Sequence, residues 1–277
     1  MTSDMREKNF MAVLELALDA GGEALRRHFG AIDAYDTKTS ERDIVTVADR
    51  ESEAAVRNVI RQYFPDHEIL GEEQGLEKNS AASYRWIIDP LDGTTNFTHG
   101  VPICAVSIGL EYHGKMVVGG VYNPIQGEKF LAERGSGVFL NGRPIKVSQV
   151  PTLSRSLLVT GFPHSDPVVL RQCLQEIAYF LGKVHGVLRL GAAALDMCYV
   201  ACGRLEVFWQ RNLNPWDTAA GWLIVEEAGG TVTDFQNKPF SPYRKELVCS
   251  NGRVHNEFLR WLEEAHRSAA PMEGHDE

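Results

Sequence analysis

The segment Trp86-Ile87-Ile88-Asp89-Pro90-Leu91-Asp92-Gly93-Thr94-Thr95-Asn96-Phe97 constrains the fold of this chain more than any other. Trp86 to Ile88 read as a short buried strand that delivers Asp89 to its end. Pro90 cannot donate to a strand ladder, so the chain is expected to turn there. Asp92 follows three residues later in the same loop. Gly93 allows an unusual backbone angle, and Thr94-Thr95 are placed to begin a helix. Two carboxylates this close repel each other unless a cation sits between them. The small residues just after them leave backbone N–H groups exposed, which suits a phosphate at a helix start. An Asp-capped turn before a Thr-capped helix explains the same residues without any chemistry. Spacing alone leaves both readings open.

Two more acidic residues stand at element ends. Glu72 follows Ile69-Leu70 in Gly71-Glu72-Glu73, and Asp217 opens the apolar helix of Trp216-Asp217-Thr218-Ala219-Ala220-Gly221. A pair of solvated glutamates and a helix N-cap are the plain alternatives. Only the fold can bring these groups together.

The rest of the chain divides by period. Helical spacing runs from Phe10 to Phe29 and from Val47 to Phe64. From Cys104 to Val147 the period is two, with hairpin turns expected at His113-Gly114, 135–137 and Asn141-Gly142. Beyond Pro151 strands and helices alternate, ending in a helix from Asn256 to His266 and a frayed tail. Gly21-Gly22 and Gly229-Gly230 read as helix-end or turn glycines. Hairpin strands followed by crossover strands imply stacked layers of helix and sheet. We expect residues 1–150 to form one half, with most acidic site residues, and 151–277 to form an α/β half carrying Asp217.

Composition narrows the partners. With 37 acidic and 28 basic residues the net charge is −9, which argues against a nucleic-acid duplex or an anionic membrane and leaves room for metal cations. No apolar run is long enough to span a bilayer, and no signal peptide is evident at the start. Five scattered cysteines read as buried reduced thiols in a cytoplasmic protein. No HExxH pair, G-x-S-x-G elbow or GxxxxGK[ST] loop is present.

Taken in order, Asp43-Ile44-Val45-Thr46-Val47-Ala48-Asp49, Gly71-Glu72-Glu73, the Trp86–Phe97 segment, Gly191-Ala192-Ala193-Ala194-Leu195-Asp196 and Pro215 to Gly221 resemble the inositol monophosphatase family of Mg²⁺-dependent phosphatases, in its bacterial form. The resemblance runs over roughly residues 10 to 265. It implies a layered α-β-α-β-α sandwich, the fold shared with fructose-1,6-bisphosphatase, and a homodimer. It implies two to three Mg²⁺ ions per subunit. Glu72, Asp89 and the Leu91 carbonyl resemble one metal site, and Asp89, Asp92 and Asp217 a second. Glu72 also borders a third, largely hydrated one. Thr94, Thr46 and Asp49 resemble the group that orients the attacking water with Glu72. Gly93, Thr94 and Thr95 match the phosphate cradle. Gly191, Ala192, Ala193, Gln210 and Asp217 fall on the substrate side, and Lys38 matches a lysine on a loop near the metals.

One departure bears on the substrate. Seven residues before Asp217, inositol-specific members usually carry a glutamate, and here the residue is Gln210. The resemblance implies a phosphomonoesterase for a small polyol phosphate, inositol 1-phosphate first. Histidinol phosphate, a 3′(2′),5′-nucleotide bisphosphate and fructose 1,6-bisphosphate are the rival substrates. A catalytically silent interaction scaffold is the non-enzyme alternative, and the intact acidic set speaks against it.

Overall fold

The computed structural model of the protein describes residues 10–31, 36–37, 44–79, 82–162 and 166–268. Lys38, Asp43 and the tail from residue 269 lie outside the described residues. Helices α1 (Phe10–His28) and α2 (Val47–Tyr63) flank a small pair of strands, β1 (Asp36–Thr37) and β2 (Ile44–Val45). The helical spacing of α1 buries Phe10, Val13, Leu14, Ala17, Leu18 and Leu25 on one face. Gly21 and Gly22 are not at a helix end but inside α1. A Cβ on Gly21 would stand 2.9 Å from Val56 of α2, and one on Gly22 would stand 2.6 Å from the Tyr122 ring. Close packing, and not termination, requires glycine there.

An eight-stranded sheet comes next: β3 (Glu68–Gly71), β4 (Gly75–Glu77), β5 (Tyr84–Asp92), β6 (Ala105–Tyr112), β7 (Lys115–Asn123), β8 (Glu128–Glu133), β9 (Gly137–Leu140) and β10 (Arg143–Pro144). Its order is β10-β9-β8-β7-β6-β5-β3-β4. The expected hairpin turns hold left-handed residues, His113-Gly114 and Asn141-Gly142 among them. After Pro144 the chain passes into a five-stranded sheet of order β12-β11-β13-β15-β14. Its strands are β11 (Leu157–Thr160), β12 (Gly186–Leu188), β13 (Val207–Arg211), β14 (Thr231–Thr233) and β15 (Glu246–Ser250). The remaining helices are α3 (Thr94–Thr98), α4 (Pro167–Phe180), α5 (Ala193–Ala201), α6 (Pro215–Glu227) and α7 (His255–Ser268).

Three apolar cores join five layers, the middle core spanning both faces of the central helices. α1 and α2 cover one face of the large sheet, α5 and α6 lie between the sheets, and α4 and α7 cover the outer face of the small one. This is the α-β-α-β-α sandwich. Trp86 and Ile88 enter the core beneath α1 and α2, whereas Ile87 enters the core between the sheets. Coverage on both faces explains why β5 shows an unbroken apolar run. α6 is buried along most of its length for the same reason. All five cysteines are free thiols.

β5 departs from expectation at its end. It does not stop at Asp89 but continues to Asp92. Asp89 pairs with Ser107 and Asp92 with Ala105, so one extra residue is accommodated around Pro90. A bulge is where a strand tolerates proline, and it re-aims the side chains beside it.

Candidate active site

The bulge sets Asp89 and Asp92 against the first turns of the middle helices. Asp92 Oδ1 accepts Ala193 N at 3.0 Å and Oδ2 accepts Ala194 N at 2.8 Å. These orphan N–H groups at the start of α5 would otherwise lack partners. Asp89 Oδ1 accepts Leu91 N at 3.0 Å, within the bulge itself. Asp217 is the third residue of α6, where its Oδ2 accepts Asn214 N at 2.6 Å in a capping box. Asn214 is therefore the cap, and Asp217 combines helix-end bonding with a place among the acids. Glu72 follows β3, and its N–H donates to Ile88 O at 3.2 Å, which ties it to β5.

The acids feel one another. Burial raises the Asp89 carboxyl well above its ordinary range, and the charges of Glu72, Asp92 and Asp217 raise it further. Burial pushes Asp92 up to about 7, against the pull of the Ala194 and Ala193 N–H groups, with Glu72 adding to the rise. Asp217 is raised well above the usual range, by burial first and then by Glu72 and Asp92. Its bond from Asn214 and the charge of Lys245 act the other way.

A second group adjoins this cluster. Thr46 N and Thr46 Oγ1 both donate to Asp49 Oδ2 at 2.7 Å. Thr94 Oγ1 lies 3.2 Å from Asp49 Oδ1 and 3.0 Å from Leu91 O, so its single proton has two acceptors. Burial pushes Asp49 up to about 6; the Thr46 bonds oppose this, and Glu73 and Glu72 add to it. Gly93 has φ +85°, and a Cβ on it would stand 2.7 Å from Ile103 O and 3.2 Å from Ala192 Cβ. Only glycine lets this loop approach the start of α5 so closely. Asn96 Nδ2 donates to Ile103 O and Leu190 O, both at 2.8 Å, and clamps α3 to the Gly191 loop.

The structure thus gathers Thr46, Asp49, Glu72, Asp89, Leu91, Asp92, Gly93, Thr94, Ala192, Ala193 and Asp217. Gly191 is tied in through Asn96, and Thr95 is exposed on α3. The Ala193 N–H is already bonded to Asp92. Gln210 lies on β13 of the other sheet, with its amide laid over Gly161. Three contributors escaped sequence reasoning. Asn96 lay inside the segment singled out but had no distinguishing spacing. Ser52, whose Oγ donates to Pro90 O at 2.8 Å, and Lys245, whose Nζ donates to Asn214 Oδ1 at 2.9 Å, have no local signal at all.

The donor set decides what ion these residues suit. Among the described residues no group of three or more His, Cys, Asp and Glu side chains stands ready as a ligand cluster. The Asp89, Asp92 and Asp217 carboxylates instead take backbone N–H groups, and each retains acceptor positions, since an ionised carboxylate offers about four. Buried acids that raise one another's pKa are relieved by a divalent cation. Hard oxygen donors without thiolate or imidazole fit Mg²⁺.

Comparison with known proteins agrees with this chemistry. A family model described as the inositol monophosphatase family matches residues 6–267. An inositol-1-monophosphatase from Synechocystis is 43% identical over 248 residues, covering 90% of this chain and 86% of the relative. The Nus factor SuhB of Pseudomonas aeruginosa is 40% identical over 259 residues, covering 91% and 96%. The crystal structure of the extragenic suppressor protein SuhB from Bartonella henselae superposes with a TM-score of 0.87 at 40% identity, covering 92% of this chain and 98% of that one.

Proposed function

The chain belongs to the inositol monophosphatase family and is a phosphoric monoester hydrolase, and from this premise we propose that it hydrolyses inositol 1-phosphate to inositol and phosphate with Mg²⁺. The observation that carries the proposal is that Glu72, Asp89, Asp92 and Asp217 stand near enough to raise the pKa values of the buried aspartates, beside the Thr94–Asp49–Thr46 hydrogen-bond chain.

Two to three Mg²⁺ ions held by Glu72, Asp89, Leu91 O, Asp92 and Asp217 would supply Lewis acidity toward water, phosphate and the leaving oxygen. The protein's own groups do the rest. Thr94 Oγ1, with Asp49 and Glu72 behind it, orients the attacking water, and the carboxylates receive its proton. Gly93 and Thr94 present backbone N–H groups to the phosphate oxygens at the start of α3. Gln210 and the Gly191 loop face the alcohol, and Lys38 adds positive charge. The water attacks phosphorus directly, so no covalent phospho-enzyme forms. The same proposal includes a homodimer in a reducing cytoplasm, consistent with five free thiols.

A substrate panel under Mg²⁺, read as inorganic phosphate, tests the substrate. Inositol 1-phosphate should give the highest kcat/KM, ahead of histidinol phosphate, a 3′(2′),5′-nucleotide bisphosphate and fructose 1,6-bisphosphate. A chelator should abolish turnover. A higher kcat/KM for any rival overturns the substrate, and full turnover without divalent metal overturns the mechanism.

A further inference from the structure

Glu53 and Arg57 lie one turn apart on α2, on the stripe that also carries Asp49. Glu53 is fully buried and Arg57 is 1% exposed. Arg57 Nε donates to Glu53 Oε1 at 2.7 Å. The other atoms of the pair reach the turn between β3 and β4. Glu53 Oε2 accepts Glu73 N at 2.7 Å, and Oε1 accepts Gln74 N at 3.1 Å. Arg57 Nη2 donates to Gly75 O at 2.8 Å, and Nη1 to Glu77 Oε2 at 3.2 Å. The pair therefore binds the backbone of the three residues directly after Glu72. Just before Glu72, Gly71 packs on the same pair. A Cβ there would stand 2.6 Å from Glu53 Cδ and 2.7 Å from Arg57 Nη2.

Stability alone does not account for such a pair. Two buried charges lose their hydration, and packed apolar residues of similar volume are often as stable or more so. An apolar pair could not bond Glu73 N, Gln74 N or Gly75 O, so what the charges add is geometry. The rest of the helix follows the same plan. Asp49 engages Thr94, and Ser52 holds Pro90 O in the bulge between Asp89 and Asp92. One helix thus bonds the turn after Glu72, the bulge between Asp89 and Asp92, and Thr94 at the start of α3.

We propose that the buried Glu53–Arg57 pair is a positioning device for Glu72, fixing the β3–β4 turn so that the Glu72 carboxylate is presented to Mg²⁺ and the attacking water. The proposal rests on the assignment of Glu72 made above. The Glu53 and Arg57 side chains themselves touch no substrate; they act through the backbone on either side of Glu72.

The test uses the full chain and four variants: Glu53→Gln, Glu53→Gln/Arg57→Met, Gly71→Ala and Glu72→Gln. It reads amide hydrogen exchange at Glu73 and Gln74, Mg²⁺ affinity by calorimetry without substrate, and kcat and KM. Glu53→Gln and Gly71→Ala should speed exchange at those two amides by about tenfold or more while Ala193 and Ala194 stay protected. Mg²⁺ affinity should fall about 10–100-fold, the usual effect of losing an outer partner of a metal ligand. KM at saturating Mg²⁺ should stay within about twofold. If Glu53→Gln strands Arg57 and fails to fold, the double variant removes both charges together. It should match or exceed the wild-type Tm and still lose Mg²⁺ affinity, which a purely stabilising pair would not do. A folded double variant with wild-type Mg²⁺ affinity overturns the proposal, whether or not exchange has quickened. Glu72→Gln isolates the parent assignment. If it keeps wild-type affinity and kcat, the role of Glu72 fails and the proposal with it; if it loses them while the double variant does not, only the positioning role fails.

Discussion

Thr94 Oγ1 lies 3.2 Å from Asp49 Oδ1, although 45 residues separate them in the chain. Asp49 is fixed in turn by Thr46, which caps the helix that carries it. Thr46 and Asp49 form the capping box of α2, and the relay proposed above joins them to Thr94, so substitution can separate the two roles. Thr94→Ala should keep Mg²⁺ affinity and lower kcat by about 10²–10⁴-fold, the range for a positioned proton-transfer group. Thr46→Ala should lower kcat and also cost about 1 kcal/mol of stability, because the cap goes with it. Steady-state kinetics with a parallel urea titration checks both. Equal loss of metal affinity and rate in Thr94→Ala would make that hydroxyl structural.

Asp92→Asn should abolish turnover and leave the metal-free protein folded. The substitution removes a charge that Glu72 repels, in a site where burial already holds the carboxyl up to about 7. It also costs an acceptor, since an amide has one oxygen for the Ala193 and Ala194 N–H groups that now take two. The two effects oppose each other, so Tm without metal should change little. The rise in Tm on adding Mg²⁺ should largely disappear. Wild-type activity, or an unfolded apo protein, would count against Asp92 as a ligand.

Asp196 shows what burial without a partner costs. It is 1% exposed in α5, and neither carboxyl oxygen has a hydrogen-bond partner among the described residues. Burial, and then the charge of Asp92, raises its pKa well above the ordinary value. A raised folded-state pKa means that its contribution to stability is fully present below the unfolded value of about 3.9 and is lost as pH rises toward the folded pKa. Asp196→Asn removes this loss. Its Tm should exceed wild type at pH 7, by about 2–4 °C for each kcal/mol relieved, and should match wild type near pH 4. A gain that is the same at both pH values would point to packing instead of charge.

His255 has the opposite sign. Its Nδ1 lies 2.9 Å from Ser250 Oγ and its Nε2 2.9 Å from Thr233 Oγ1, in a buried bridge between β15, β14 and the start of α7. Burial lowers its pKa to about 4. The native state therefore resists protonation, and stability present above the unfolded value of about 6.5 is lost as pH falls toward 4. Urea midpoints should decline over that window in wild type and decline less in His255→Gln, which should be the less stable protein at pH 7. Parallel curves would remove His255 from the account.

Residues whose role depends on local pattern were legible in the sequence. Trp86 to Ile88 signalled a buried strand because their environment is apolar on both faces, and the acids of the DPLD turn stood out against it. His113-Gly114 and Asn141-Gly142 signalled hairpins because only certain residues take positive φ cheaply. Roles created by distant packing left no trace. Gly21 and Gly22 look like terminators until Val56 and Tyr122 arrive beside them. Glu53 and Arg57 look like an ordinary helix-surface pair at i, i+4, because nothing nearby in sequence says that the β3–β4 turn will bury them. Pro90 argued for a stop, and the bulge let the strand continue.

Gln210 is the residue on which substrate choice should turn. It stands on β13, in the sheet that does not carry Asp89 and Asp92, so changing it should alter which alcohol is accepted and not whether phosphate is cleaved. Its amide carbon sits 2.6 Å from where a Gly161 Cβ would be, so this rotamer exists only because residue 161 is glycine. Gln210→Glu is isosteric and fits the same space. The new carboxylate accepts hydrogen bonds from neutral ring hydroxyls, which should favour inositol 1-phosphate by about 1–2 kcal/mol in kcat/KM. It should also repel a second phosphate and so penalise nucleotide bisphosphates and fructose 1,6-bisphosphate. Gly161→Ala gives an independent handle, because it displaces the amide without altering charge; it should disturb the substrate ratio while Mg²⁺ affinity holds. The measurement is kcat/KM for inositol 1-phosphate and each bisphosphate in wild type and both variants. If the ratio between the two substrate classes moves in neither variant, Gln210 lies outside the substrate's reach and selectivity resides on the Gly191 side of the site.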